Sequence, residues 1–359
     1  MKIAILQPTI PFYREDFFNN LKNILSVDIY TYKKSDIVRK EHTKISSIKH
    51  IEVSNLYWKT FLLYNPFPFL SNKNHYDILV LMLNKTHITT WILLLTKFLH
   101  RKKIIVWGQG ISVKRYLKEE NKPDILLKMQ MKLADGVWLY MDKEYKQWNN
   151  ILKSKPIVAL NNTITGINEI LKYKGNKNYF KNKYKIKENV IFIFCARFES
   201  SYRRTDLLLE IIKRLDSNKY GFIIIGDGKN KPDFTPYNNV YDFGTVYDVT
   251  KKQELFTVAD LYLQPGWVGL SVVEAMAYGL PICTFIRSEE TKQCVEYSYI
   301  VDGVNGLIFR NIEDCIYRIS SLSNEAILNM GKESFKKASM LTPEKMSENA
   351  ISVIREIMK

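Results

Sequence analysis

Short apolar runs alternate with stretches of helical periodicity along the whole chain. Lys2–Leu6 reads as a buried strand ending at Pro8, and Phe17, Phe18, Leu21, Ile24 and Leu25 then recur at the spacing of one helix face. Val27–Tyr32, Ile78–Leu83, Lys103–Trp107 and Gly136–Tyr140 predict further strands. Between them lie helical patterns, one placing Trp91, Leu94, Leu95 and Phe98 on one side and another covering Asp124–Leu133. A polar stretch rich in Asn and Lys interrupts the pattern over 161–188. It then restarts with a strand at Val190–Ala196, a helix at Asp206–Leu215, strands at Phe222–Ile225 and Val240–Phe243, a helix at Glu254–Ala259 and a short strand at Leu261–Leu263. A helix from Ser271 stops at Gly279 with Pro281 beyond it, and Pro343–Met358 is helical again. Strands alternating with helices predict βαβ units and parallel sheets. The expected fold is α/β, with two doubly wound domains. They cover 1–165 and 189–342, with a linker region at 166–188 and a C-terminal helix at 343–359 packing back on the first domain.

Length agrees with this division, since 359 residues suit two domains. The four cysteines (Cys195, Cys283, Cys294, Cys315) are far apart, which argues against a disulfide framework or a structural zinc and fits a reducing compartment. The start has no charged-then-apolar leader pattern, and the longest apolar runs fall well short of the ~20 residues of a spanning helix. A soluble cytoplasmic protein is expected. Its net charge of +16 is uneven: residues 1–165 hold 26 basic and 13 acidic side chains, and residues 166–359 hold 27 and 24. An acidic partner would therefore meet the first half.

In open α/β sheets ligands bind outside the carboxyl ends of the strands, and two such domains face each other across a cleft. Gly226 and Gly266 lie just past predicted strands, where a sharp turn or a close approach to a ligand needs glycine. Gln264–Pro281 (QPGWVGLSVVEAMAYGLP) runs from a strand through a Gly-containing loop into a helix. Backbone N–H groups at Gly269, Leu270 and Ser271 would face a phosphate there. Two readings are open for Glu274: a capping box with Ser271, or a ligand contact.

The segment resembles the retaining glycosyltransferases of family 4, whose signature is Gly-Leu followed by E-A-M-A-x-G-L-P. Here these are Gly269-Leu270 and Glu274-Ala-Met-Ala-Tyr-Gly-Leu-Pro281. The resemblance implies the GT-B fold, with Glu274 on the ribose of a nucleotide-sugar donor. The family's other Glu, eight positions earlier, is Gly266 here, so backbone at Gly266, Trp267, Val268, Gly269 and Leu270, or the Trp267 ring, would supply that contact. Cys195-Ala-Arg197 and Arg203-Arg-Thr-Asp206-Leu-Leu-Leu resemble the family's Arg and Lys sites, with a loop one residue longer. The resemblance makes Arg197, Arg203 and Glu274 the catalytic set, with Arg204 an alternative to Arg203. Fixed cations at a departing diphosphate stabilise the transition state more than the ground state. Phe243-Gly244-Thr245-Val246-Tyr247 resembles the turn whose backbone reads the base, adding Thr245 and Val246 to the donor residues together with Gly226 and Ser271. The resemblance covers most of the chain and is specific in the C-terminal half.

In the first domain Tyr13 and Arg14 follow the first strand, and Gln109 stands between two glycines after another. These three are the acceptor candidates, although Tyr13 and Arg14 are equally suited to starting a helix. No pair among His42, His50, His75, His87 and His100 has metal-ligand spacing, and there is no Asp-x-Asp, so no metal and no cofactor are expected. His87 is the one histidine in a loop with reach to the cleft, against the commoner surface position. The aromatic, proline-interrupted stretch 57–70 suits either the domain core or an anionic membrane surface, whereas the apolar residues of the 90s helix are expected in the core. The reading is a retaining glycosyltransferase using a UDP- or GDP-sugar and a saccharide or lipid-linked saccharide acceptor, in surface-polysaccharide or lipopolysaccharide assembly at the inner membrane face. The alternative is a non-catalytic GT-B protein that binds a sugar nucleotide or a partner enzyme. No nucleic-acid module is recognisable.

Overall fold

The computed structural model describes residues 1–33, 46–71 and 73–359; His42 lies outside the described residues. The chain divides into two compact units, residues 1–165 with 342–359 and residues 166–341. In the first unit the strands are β1 (Lys2–Gln7), β2 (Ser26–Tyr32), β3 (Ile51–Val53), β4 (Asn55–Trp58), β5 (Phe61–Tyr64), β6 (Ile78–Met82), β7 (Lys103–Gly108), β8 (Gly136–Leu139) and β9 (Ile157–Ala159). Seven form one sheet in the order β3-β2-β1-β6-β7-β8-β9, every pair parallel. Central strands such as ILVLM in β6 are apolar throughout because helices cover both faces of a parallel sheet. The C-terminal helix Pro343–Ile357 packs on helix Glu15–Ile24 and on β8, burying Met346, Ala350, Ile351 and Ile354 in the first unit's core.

In the second unit the strands are β10 (Val190–Cys195), β11 (Tyr220–Ile225), β12 (Val240–Asp242), β13 (Leu261–Leu263), β14 (Ile282–Phe285) and β15 (Gly306–Phe309). Their order is β12-β11-β10-β13-β14-β15, again all parallel. This is the Rossmann order, and the direction of winding reverses between β10 and β13. The corresponding reversal in the first unit lies between β1 and β6. No helix among the described residues is long and apolar enough to cross a membrane.

Three segments differ from the sequence expectation. The polar stretch 166–188 folds as part of the second unit, with helices Ile167–Lys172 and Lys177–Lys183. Its lysines are held by acidic partners: Lys177 pairs with Asp260, and Lys183 Nζ lies 2.6 Å from Glu254. Residues 55–64 form an antiparallel hairpin of β4 and β5, separate from the main sheet. The 90s pattern is two helices, Ile88–Leu95 and Lys97–His100; Leu93 and Leu94 are buried, whereas Leu95 and Phe98 are exposed.

His87, at the entry to the first of these helices, is buried and paired through Nδ1 with the Tyr32 hydroxyl at 3.2 Å. Burial pushes its pKa down from 6.5 to about 4. Between those values the unfolded chain binds a proton that the folded chain does not, so stability falls as pH drops from about 6.5 towards 4, by up to about 3 kcal/mol. Urea unfolding across this range should show that slope in the wild type and a flatter one in His87→Gln. Equal slopes would contradict the buried, neutral assignment.

Candidate active site

β10 and β13 are neighbours at the point where the winding reverses, and the loops 196–204 and 264–270 leave from their carboxyl ends. Close backbone approach shapes both loops. Gly226, after β11, has φ 135°, and a Cβ there would stand 1.9 Å from the Ala196 carbonyl oxygen. Gly266, after β13, meets the other loop: a Cβ would lie 2.3 Å from the Tyr202 carbonyl oxygen and 2.7 Å from Arg204 Cγ. The longer arginine loop thus occupies the space into which any side chain at 266 would project.

The two adjacent arginines of that loop have separate tasks. Arg204 forks onto Asp206, Nε and Nη2 lying 3.0 and 2.7 Å from its carboxylate, and Nη1 donates to Thr291 Oγ1 at 2.6 Å. It anchors the start of helix Thr205–Arg214. Arg203 is half-buried and donates from Nη1 to the Trp267 carbonyl at 3.0 Å. Burial pushes its pKa down; the Tyr262 hydroxyl opposes that shift and the Arg197 charge reinforces it. Arg197 itself is exposed, just past β10. Two cations therefore influence each other beside the carboxyl end of this strand.

Trp267 has φ 49°, a left-handed backbone that a bulky residue holds only under constraint. Its N–H donates to the Lys292 carbonyl at 3.0 Å, and its ring stacks on Tyr202 with centroids 5.2 Å apart. On either side Gln264 Nε2 donates to the Gly266 carbonyl at 2.7 Å, and the Val268 N–H donates to Gln293 Oε1 at 2.7 Å. The loop is thus set by specific bonds before Gly269 and Leu270 lead into helix Ser271–Ala277.

That helix settles the local geometry of Glu274. Leu270 is the N-cap and no side chain caps the helix. Instead Glu274 Oε2 pairs with Lys252 Nζ at 2.7 Å. Burial works against the Lys252 charge, but Glu274 outweighs it and raises the lysine's pKa. The Cys195 thiol, pushed up to about 11 by burial, feels Lys252, Glu274 and Arg203 together, which places all three charges around the end of β10. Lys252 was not visible in the sequence: it stands in the middle of helix Val249–Val258, and only the fold turns it onto Glu274. Thr245 is exposed and Val246 half-exposed in the loop after β12.

In the first unit the three candidates lie after β1 and β7. Arg14 is only 6% exposed. Its Nη1 donates to Gln7 Oε1 at 3.0 Å, and its guanidinium lies over the rings of Trp107 and Tyr140 at 4.7 and 5.0 Å. Tyr13 reaches the surface, in the turn Phe12–Arg14 that leads into helix Glu15–Ile24. Gln109 is half-buried before Gly110, whose φ is 73° and whose carbonyl accepts from Trp148 Nε1 at 2.9 Å.

Residues 189–325 match the family model described as Glycosyl transferases group 1. An uncharacterized 41.2 kDa protein in the cps region of Klebsiella pneumoniae is 33% identical over 132 residues, 36% of this chain and 34% of that protein. The match therefore spans about a third of that relative's length. Among solved structures, Anabaena HepE in complex with UDP superposes with a TM-score of 0.67 at 13% identity, covering 99% of this chain and all of that one. A glycosyltransferase from Rickettsia africae gives 0.65 at 18% identity, covering 100% and 99% of the two chains. The lipopolysaccharide outer core galactosyltransferase WaaB gives 0.62 at 15% identity, covering 99% of each. The likeness to these structures is one of fold, and it makes the architecture the one expected: two Rossmann-like parallel-sheet domains of the GT-B class.

Gly266→Glu tests the packing between the two loops. The substitution is expected to lower the thermal midpoint by several degrees, the cost of forcing about 1–3 kcal/mol of overpacking into a domain of this size. A wild-type midpoint would mean that the loops do not press on each other here.

Proposed function

We propose, for a chain whose residues 189–325 match the Glycosyl transferases group 1 model, that it moves a sugar with retention of configuration from a nucleotide sugar to a saccharide acceptor. The observation that carries this reading is the geometry at the carboxyl ends of β10 and β13: Arg203 donates to the Trp267 carbonyl at 3.0 Å, Lys252 holds Glu274 at 2.7 Å on the helix that follows, and Arg197 stands just past β10. In the proposed reaction the diphosphate of a UDP- or GDP-sugar is held by Arg197 and Arg203. As the bond from the anomeric carbon to the diphosphate breaks, negative charge grows on the leaving oxygen, and these guanidinium groups stabilise it without changing protonation. Neither a metal ion nor a cofactor is invoked; the sequence has no Asp-x-Asp that would hold a divalent ion at the diphosphate.

Glu274 binds the ribose hydroxyls. Lys252 donates to Oε2 at 2.7 Å and so orients the carboxylate, leaving Oε1 for the nucleoside. Trp267 and the backbone from Gly266 to Leu270 meet the donor sugar, Ser271 the diphosphate, and Gly226, Thr245 and Val246 the base and its ribose. Tyr13, Arg14 and Gln109 belong to the acceptor side. The acceptor proposed is a lipid-linked saccharide in surface-polysaccharide or lipopolysaccharide assembly at the cytoplasmic face of the membrane. The cps-region relative and the lipopolysaccharide galactosyltransferase fold support that setting.

A second reading, a protein that binds a sugar nucleotide without consuming it, is favoured by one observation: Gly266 leaves the donor sugar without the family's carboxylate. Turnover of the bound donor separates the two.

Titration calorimetry with UDP, GDP, ADP, dTDP and CMP should find one diphosphate preferred. Loss of one charge-assisted contact costs about 1.5–3 kcal/mol, so Arg203→Ala and Arg197→Ala should each weaken binding about 10- to 150-fold. Glu274→Ala should weaken it and cut turnover with the fold intact. Arg204→Ala should act on thermal stability instead. Unchanged affinity in Arg203→Ala and Arg197→Ala would overturn the assignment.

A further inference from the structure

The hairpin in the first unit presents an apolar face to solvent. Its register pairs Leu56 with Leu63 and Trp58 with Phe61, two positions apart on each strand and so on one face. All four are exposed, Trp58 at 63%, while Leu62 on the opposite face is buried. The Trp58 and Phe61 rings stack with centroids 6.0 Å apart. An isolated two-stranded hairpin is marginal in water, and this one is tied down from behind. The Leu62 N–H donates to the Thr86 carbonyl, the Tyr64 N–H to Thr89 Oγ1, and the Tyr64 hydroxyl pairs with Thr90 Oγ1.

The anchoring helix continues the pattern. Ile88–Leu95 packs against β5 with Leu93 and Leu94 inward, and its Ile92 and Leu95 face out. In the next helix Phe98, 74% exposed, and Leu99 extend the same stripe at spacings of three and four. Helix Ile125–Leu133 packs alongside and exposes Ile125 and Met129. Exposed apolar side chains in this number, on elements that pack against one another, are unusual on a water-facing domain.

Basic residues border it. Lys59 sits in the hairpin turn between Trp58 and Phe61, with its ammonium 5.8 Å from the Trp58 ring centre. Arg101, Lys102 and Lys103 follow the Phe98 helix directly, within the half of the chain that carries +13 of the +16 charge. Charge complementarity decides between occupants. Aromatic rings at the acyl boundary beside Lys and Arg at headgroup level are what an anionic bilayer surface takes.

We propose that the hairpin β4–β5 and the helices 88–100 form a docking surface for an anionic lipid bilayer, with Trp58, Phe61 and Phe98 entering the interface and Lys59, Arg101 and Lys103 meeting the headgroups. This names the surface by which the proposed lipid-linked acceptor would be reached, yet it stands on unit 1 alone and survives failure of the donor-site reading.

The test is sedimentation of the full chain with phosphatidylcholine vesicles with and without phosphatidylglycerol. Binding is expected to need the anionic lipid, to weaken with salt, and to fall at least about tenfold in Trp58→Ser/Phe61→Ser. Lys59→Glu/Arg101→Glu should each lose about fivefold per charge. Trp58 emission, taken as wild type minus Trp58→Phe, should shift to the blue on binding. Thermal midpoints report folding, and Phe98→Ser/Leu99→Ser decides the matter if the hairpin variant unfolds. No sedimentation with phosphatidylglycerol vesicles, or equal sedimentation of correctly folded variants, overturns the proposal. So does a wild-type dimer in solution that both apolar variants abolish, since a second copy would then cover this face.

Discussion

The contact between the backbone of Tyr202 and Gly266 is the constraint on which the second unit's site depends. Because residue 266 has no side chain, the arginine loop lies directly on the loop after β13. That approach brings Arg203 within reach of the Trp267 carbonyl and lets Tyr202 stack on the Trp267 ring. Arg204, forked on Asp206 and bonded to Thr291, keeps the arrangement from opening. A left-handed Trp267 is then tolerated because its neighbours over-determine it: bonds from Gln264, to Lys292 and to Gln293 leave the loop little choice. The bare position at 266 and the path of the arginine loop are thus two sides of one packing solution.

Electrostatics follow from this geometry. Partial burial of Arg203 near a second cation is unfavourable unless an anion completes the site. Glu274 does not neutralise the pair, because Lys252 already holds it. In the proposed reaction a nucleoside diphosphate would meet both halves, with phosphate oxygens at the arginines and ribose hydroxyls at the carboxylate. The first unit is built differently. Arg14, after β1, is enclosed by Gln7, Trp107 and Tyr140, and the hairpin and the helices 88–100 carry exposed apolar side chains.

How much of this was legible in the sequence depended on whether a residue's role is local. The strands of both central sheets stand out because buried parallel strands are apolar without interruption, as in VIFIFC of β10. The helix at Ser271 and its stop at Gly279, with φ 74°, follow from local chemistry. Roles set by tertiary placement were hidden. Counting back from Asp206 left Arg203 and Arg204 open, and only the bonds of Arg204 separate them. Lys252 belongs to no motif. The capping box suggested by Ser271 and Glu274 does not form, since Leu270 is the N-cap. The stretch 57–70 was ambiguous because aromatics with prolines suit a core or a surface equally, and the hairpin divides them, Leu62, Tyr64 and Phe69 inward, Trp58, Phe61 and Phe67 outward.

The most direct measurement is a crystal structure of the chain with the preferred nucleoside diphosphate. The phosphates are expected between Arg197 and Arg203, the ribose hydroxyls on Glu274 with its Lys252 pair intact, and Tyr202 still packed on Gly266. A diphosphate bound elsewhere, or at this strand end without either arginine, would contradict this site.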